Sequence, residues 1–336
     1  MNLDVLIPSL LLPAHLQSLI QPPVVPALER LLARADRRAG VALDAATWLG
    51  ERWGVSVPYP IAALVAAHDG LQTGEGGWMF AEPVHMAADR DAVKLFPGRL
   101  ELTGQESQEM ITSLNAHFST DGLEFFSPVP GRWYVRCDRD EIPATVSPEV
   151  ARLAPLSENQ PKSHGKLNWR ALQNEAQMLL FSHPVNAARE AAGKNTVNGV
   201  WFWGGGVAPQ IARTVPTGYD LVLTDTPLAS QLAVASGIPL LPALFASLKS
   251  AKGNVLVVLD RCEQAMGERD LDEWSRELGE LDRQWFQPIA AALATGTISR
   301  LNIHTPGAAK PMSFHLTRTQ QWLKFWRSTP SLGSYA

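Results

Sequence analysis

Cysteine is scarce in this 336-residue chain: Cys137 and Cys262 stand far apart and outside any CxxC spacing, which argues against a disulfide framework or a zinc knuckle. Charge of one sign is lacking too. The formal net charge is −4, with basic and acidic residues spread along the sequence, so no basic stripe awaits a phosphate backbone and nucleic acid is not an expected partner. Long hydrophobic runs are missing: the apolar stretch from Val5 to Leu12 is broken by Pro8, stopped by Pro13 and preceded by no basic residue. It reads as neither a signal peptide nor a membrane span, and the expectation is a cytoplasmic protein with no membrane partner. Nucleotide fingerprints are absent as well. No GxxxxGK[ST] occurs, and Gly204-Gly205-Gly206-Val207-Ala208-Pro209 lacks the third glycine of GxGxxG.

What is present suits a large core. Apolar residues make up 46% of the chain and tryptophans number eleven, and such rings are more often core and interface anchors than ligand platforms. The length accommodates two domains, or one α/β core carrying an insertion. Leu3 to Leu12 reads as a first strand, Val24 to Arg38 as an amphipathic helix, and Asp44 to Gly54 and Pro60 to Ala67 as short helices. Trp78 to Val84 and Arg99 to Thr103 read as strands, Thr103 to Glu106 as a capping box opening a helix to Phe118, and Leu123 to Cys137 as a hairpin turning at Pro130-Gly131. Pro143 to Gly165 has linker composition, and Asn168 begins another helix. Val200 to Trp203, Leu221 to Thr224 and Val255 to Asp260 then alternate with helical segments, the pattern of a parallel sheet covered on both faces. A long helix from Leu271 to Leu293, kinked at Pro288, a strand from Ile298 to Ile303 and an amphipathic helix from Thr317 to Arg327 complete the pattern. The Trp322, Phe325 and Trp326 stripe of that last helix is either a homodimer face or docks on the chain's own sheet.

The run Asn195 to Gly206, NTVNGVWFWGGG, joins an apolar strand to three glycines. Glycine at a strand end opens backbone N–H groups to an anion, because no Cβ intervenes and positive φ is tolerated. Gly204, Gly205 and Gly206 are therefore a candidate phosphate or carboxylate cradle beside Trp203; the alternative is a tight turn into a following helix. Arg189 and Lys194 are the nearest cations, against the default of solvated positions, and His183 and Asn186 are candidates to orient a carboxylate, against a helix-end imidazole. His85 stands with Glu82, Asp89 and Arg90, either around a ligand or as part of a charged strand end. His304 is either a ligand contact or a buried, hydrogen-bonded histidine.

The stretch His183 to Gly206 resembles the archaeal-type cofactor-independent phosphoglycerate mutases, in which a His-Pro-x-Asn turn is followed by Arg, Gly-Lys, Asn and a strand closing on Trp-Gly-x-Gly. His183, Asn186, Arg189, Gly193, Lys194, Asn198, Trp203, Gly204 and Gly206 stand at those positions. Gly218 to Pro242 and Val255 to Leu293 are similar to later parts of the family, and Trp78 to Arg136 more weakly so. The resemblance implies an α/β fold: an alkaline-phosphatase-like, mostly parallel sheet with helices on both faces over residues 1–77 and 143–336, with a small α+β domain inserted over 78–142. The chain also resembles regulatory-type proteins of plant-pathogen virulence regulation, through Glu82-Pro83-Val84-His85, Ala88-Asp89-Arg90-Asp91 and the Trp-Gly-Gly-Gly loop, with Glu82 in place of their Asp.

Active members of that superfamily hold two divalent metals with Asp and His and so activate a Ser or Thr nucleophile. Here the first strand ends in Leu-Pro, Asp69-Gly70 follows a helical pattern, Asp260-Arg261-Cys262-Glu263 contains no histidine, and Asn302-Ile303-His304-Thr305-Pro306 replaces Asp-His-x-Thr-Pro. The expectation is a non-catalytic regulatory or small-anion-binding protein with no metal, no other cofactor and no assigned catalytic residue. Its partner would be a small anionic ligand or a regulatory protein. Its candidate ligand contacts are His183, Asn186, Arg189, Lys194, Asn198, Trp203, Gly204, Gly205, Gly206, His85, Arg90 and His304. The alternative is a manganese-, zinc- or magnesium-dependent phosphoglycerate mutase or phosphatase, its ligands moved to Asp69, Glu82, His85, Asp225, Asp260 and His304.

Overall fold

Short apolar strands form the centre of one seven-stranded sheet in the computed structural model, whereas its edge strand Asp36–Ala39 is exposed throughout. The structure describes residues 1–335 apart from 22, 41–43, 56–58, 90–91, 97–99, 152–155, 210–216 and 308–309. The chain divides into two compact units, Met1–Val55 with Ile211–Ala336, and Ser56–Gln210.

In the first unit the strand order is Leu240–Leu241, Leu221–Thr224, Asn254–Val258, Asn2–Leu6, Arg300–Thr305, Met312–Thr317, Asp36–Ala39. The first five run parallel, and the last two close one edge antiparallel. Parallel neighbours require crossovers, and helices Pro227–Ser236, Arg261–Gly267, Leu271–Leu281 and Gln287–Thr295 supply them. Leu3, Val5, Val255, Val257, Leu301, Ile303 and Phe314 share a core with Leu28, Leu31, Trp274, Leu278 and Trp285 from the helices. The long helix is divided as its proline predicts: Leu271–Leu281 passes through a π turn at Asp282–Phe286 into Gln287–Thr295, with Pro288 in its first turn. Pro288 has no N–H to continue the ladder.

Several boundaries differ from the sequence reading. The helix expected over 24–38 ends at Arg34, because Ala35 is extended (φ −73°, ψ 157°) and Asp36–Ala39 pairs with Met312–Thr317. The 100–103 stretch forms no strand, and residue 99 lies outside the described residues. The linker carries a short helix, Pro148–Ala151, and a bridge between Ala144 and Lys162.

The second unit holds an antiparallel sheet in the order Glu124–Val129, Arg132–Cys137, Gly77–Val84, Gly199–Gly206. The sequence places a strand over Val200 to Trp203 in the parallel sheet; in the structure Gly199–Gly206 pairs antiparallel with Gly77–Val84 instead, within the unit Ser56–Gln210. A continuous apolar run fits either sheet type, and only the partner decides. Met110, Ile111 and Leu114 of helix Gly104–Phe118 and Trp169, Leu172 and Leu180 of helix Trp169–Phe181 cover one face. The capping box is present in full: Glu106 N donates to Thr103 Oγ1 and Thr103 N to Glu106 Oε2.

Candidate functional site

The stretch from Asn195 to Asn198 lies outside any helix or strand, so its backbone polar groups need other partners. The motif side chains provide them one after another. Arg189 Nε donates to the carbonyl of Asn195 at 2.7 Å. His85 Nδ1 lies 2.9 Å from the carbonyl of Thr196 and 3.1 Å from its hydroxyl. Asn186 Oδ1 accepts from Val197 N at 2.8 Å, while its Nδ2 donates to the carbonyls of Val197 (2.8 Å) and Leu180 (2.7 Å). Asn198 itself accepts from Met86 N at 2.6 Å and donates to Met86 O at 2.8 Å. Arg189, His85, Asn186 and Asn198 thus hold the segment that leads into the edge strand Gly199–Gly206.

Arg189 is buried, and its Nη1 also donates to Glu106 Oε1 at 2.9 Å and Glu101 O at 3.0 Å. Its guanidinium holds the start of helix Gly104–Phe118 to the end of helix Pro184–Ala191. His183 caps the latter helix through Nδ1, which accepts from Val185 N at 3.3 Å, and its Nε2 meets Ser113 Oγ at 3.0 Å. Burial pushes its pKa down. Lys194 is exposed, just past Gly193, whose φ of +70° ends the helix. Arg90 lies outside the described residues.

The three glycines lie within strand Gly199–Gly206, residues 207–209 are not helical, and 210–216 lie outside the described residues. An extra residue enters the pairing between the Trp78–Gly206 and Phe80–Trp203 pairs, and Gly204 takes φ +66° there, as a bulge requires. What the missing Cβ atoms make room for is protein: Phe80 against Gly204, Ile142 and Met79 against Gly205, and Pro60 against Gly206. These side chains occupy the space on the Cβ side of the three glycines. Trp203 stacks on Phe80 with ring centroids 4.6 Å apart and donates from Nε1 to Glu82 Oε2 at 2.8 Å. Together with Arg132, Trp133 and Gly131 they line a small cleft. Behind it Asp69, 2% exposed in its side chain, receives both prongs of Arg132 and the Tyr134 hydroxyl, each at 2.6 Å. Burial alone would raise the Asp69 pKa, but Arg132, Tyr134 and His68 bring it below the usual carboxylate range.

His304 belongs to the first unit. Its strand turns Leu301 and Ile303 to the main core and so presents Asn302 and His304 to the opposite face, as Asn2–Leu6 does with Asp4. Asp4 accepts from the Tyr219 hydroxyl (2.7 Å) and from Asn302 Nδ2 (2.6 Å), and Asn302 Oδ1 meets His315 Nδ1 at 2.8 Å. His304 Nδ1 lies 3.0 Å from Ser313 Oγ, its ring packs beside Trp48 at 4.9 Å, and its buried Nε2, 4.0 Å from Asp4 Oδ2, has no hydrogen-bond partner among the described residues. At the strand ends Gln264 donates to Asp260 Oδ2 at 2.9 Å, and burial raises the Asp260 pKa. Among the described residues no three His, Cys, Asp or Glu side chains converge as metal ligands. A centre for two divalent ions demands several such donors around each cation, more than converge among the described residues.

The sequence reading names neither the Asp4, Tyr219 and His315 network nor Arg132 and Tyr134, the partners of the Asp69 that it does name. A carboxylate alternating with Leu3 and Val5 was the available signal for the first. Nothing local marks the second, since Asp69 and Arg132 stand 63 positions apart.

No protein-family model matches the chain. It is 30% identical over 109 residues to a probable 2,3-bisphosphoglycerate-independent phosphoglycerate mutase of Geobacter sulfurreducens, a stretch covering 32% of this chain and 27% of that protein. It is 24% identical over 112 residues to the 2,3-bisphosphoglycerate-independent phosphoglycerate mutase of Methanosarcina mazei, covering 32% of this chain and 28% of the relative. The chain therefore matches little more than a quarter of the length of either curated relative. Among solved structures, the PH0037 protein from Pyrococcus horikoshii superposes with a TM-score of 0.54 at 14% identity, over 94% of this chain and 87% of that one. The chain is thus similar in sequence, over about a third of its length, to cofactor-independent phosphoglycerate mutases, and it shares the mixed α/β fold of PH0037.

Proposed function

We propose that this phosphoglycerate-mutase-like chain is non-catalytic and serves a regulatory or small-anion-binding role in the cytoplasm, without a metal or other cofactor. One observation supports this above the others: the carboxylates that phosphoryl-transfer chemistry would need at a metal are engaged with the protein's own donors. Asp69 is held by Arg132 and Tyr134, Asp4 by Tyr219 and Asn302, and Asp260 by Gln264. Lys194 is the cation of the motif left exposed toward solvent, so a small anion or an acidic protein partner would meet it first. The second reading, a metal-dependent mutase or phosphatase for a small phosphorylated acid, draws on the names of the mutases that the chain resembles.

Purified protein is expected to give neither isomerisation of 3-phosphoglycerate nor phosphate release with manganese, zinc or magnesium. Turnover that chelation abolishes would establish the enzyme reading. Calorimetric titration with 3-phosphoglycerate checks the anion: Lys194→Ala should weaken binding roughly tenfold, as loss of about 1.4 kcal/mol does, and equal affinity in both proteins would remove the anion from the proposal.

A further inference from the structure

Trp322, Leu323, Phe325 and Trp326 are 65%, 68%, 71% and 71% exposed, on and just after helix Arg318–Leu323. A surface helix ordinarily turns its apolar stripe toward the core; here polar side chains face the body of the unit. Gln320 Nε2 and Lys324 Nζ both donate to Asp36, at 2.5 Å, and Lys324 holds the Asp36 carboxyl below its usual range. Arg327 Nη1 donates to the carbonyls of Ala33 and Ala35, and Arg34 Nη1 to that of Gln321. Beyond the segment the chain returns to the core at Leu332 and Tyr335. The aromatic face is therefore fixed on both sides.

Its electrostatic surroundings oppose those of the whole chain. Residues 34–38 and 318–327 carry six cations, Arg34, Arg37, Arg38, Arg318, Lys324 and Arg327, and one anion, Asp36, for a local charge of +5 against −4 overall. We infer that this face docks on an anionic lipid surface, the tryptophan and phenylalanine rings seated at headgroup level and the cations flanking them. Lack of a spanning helix is no obstacle: no described helix is long and apolar enough to cross a membrane, and surface docking needs none. A second copy of the chain fits less well, since a two-fold axis would set +5 against +5. The four side chains also offer on the order of 600 Å², below the roughly 800 Å² per partner of a standard interface.

Flotation with vesicles tests this on the full chain. The protein should float with phosphatidylcholine vesicles containing phosphatidylglycerol, roughly tenfold less with phosphatidylcholine alone, and lose most binding at about 0.5 M salt. Trp322→Ala with Trp326→Ala should abolish flotation while leaving the melting temperature unchanged, as both residues are exposed. No flotation of the wild type, flotation retained by the double variant, or a sedimenting dimer that the double variant converts to monomer would each overturn the inference.

Discussion

His304 shows what a single side chain contributes. Burial, chiefly, lowers its pKa from 6.5 to about 4, with Asp4 opposing and Arg52 and His315 reinforcing the shift. A folded pKa below the unfolded one means that the unfolded chain binds the proton first. The associated stability is therefore present above pH 6.5 and is lost as the pH falls toward 4. The full effect is on the order of 3 kcal/mol. His183 and His315, also lowered by burial, act in the same direction. Denaturant titrations from pH 4 to 7 should show a shallower pH dependence for His304→Gln than for the wild type; equal slopes would remove His304 from the account. Arg189 calls for a different reading from Lys194. Truncating Arg189 strands Glu106 and two carbonyls, so Arg189→Ala should cost about 3 kcal/mol, whereas Lys194→Ala should leave the denaturation midpoint unchanged.

At the scale of elements, local signals were legible and partners were not. Thr103 with Glu106, Asn168 with Ala171 and Asp270 with Glu273 cap helices within three residues, and all three starts stand where the sequence placed them. The Pro288 kink is equally local. By contrast, Asp36–Ala39 and Met312–Thr317 acquire their meaning from each other across more than 270 positions, and Gly199–Gly206 joined a sheet its own residues do not specify. The glycine tail of that strand carries a further expectation. A Cβ on Gly205 would stand 2.6 Å from Ile142 Cγ2, and Gly205→Ala should destabilise Ser56–Gln210 by about 1–3 kcal/mol through overpacking. A thermal melt with no loss would show that the glycine is not required by packing.

For the molecule as a whole, the unit Ser56–Gln210 has a core of its own, from Met79 and Trp133 to Trp169 and Phe202, and a complete four-stranded sheet. Expressed alone it should fold and melt cooperatively by circular dichroism; a non-cooperative melt would show that the other unit completes it. The amino-acid sequence by itself determined the α/β class, the helix caps, the proline kink and the resemblance carried by His183 to Gly206, because each rests on neighbours a few positions apart or on a contiguous pattern. Only the tertiary structure decided that Arg189, Asn186, His85 and Asn198 hold the 195–198 segment, and that the 204–206 glycines admit Phe80, Ile142 and Pro60. A side chain's hydrogen bonds go to whichever group the fold brings within about 3 Å, and for these residues several of those groups lie 80 to 120 positions away.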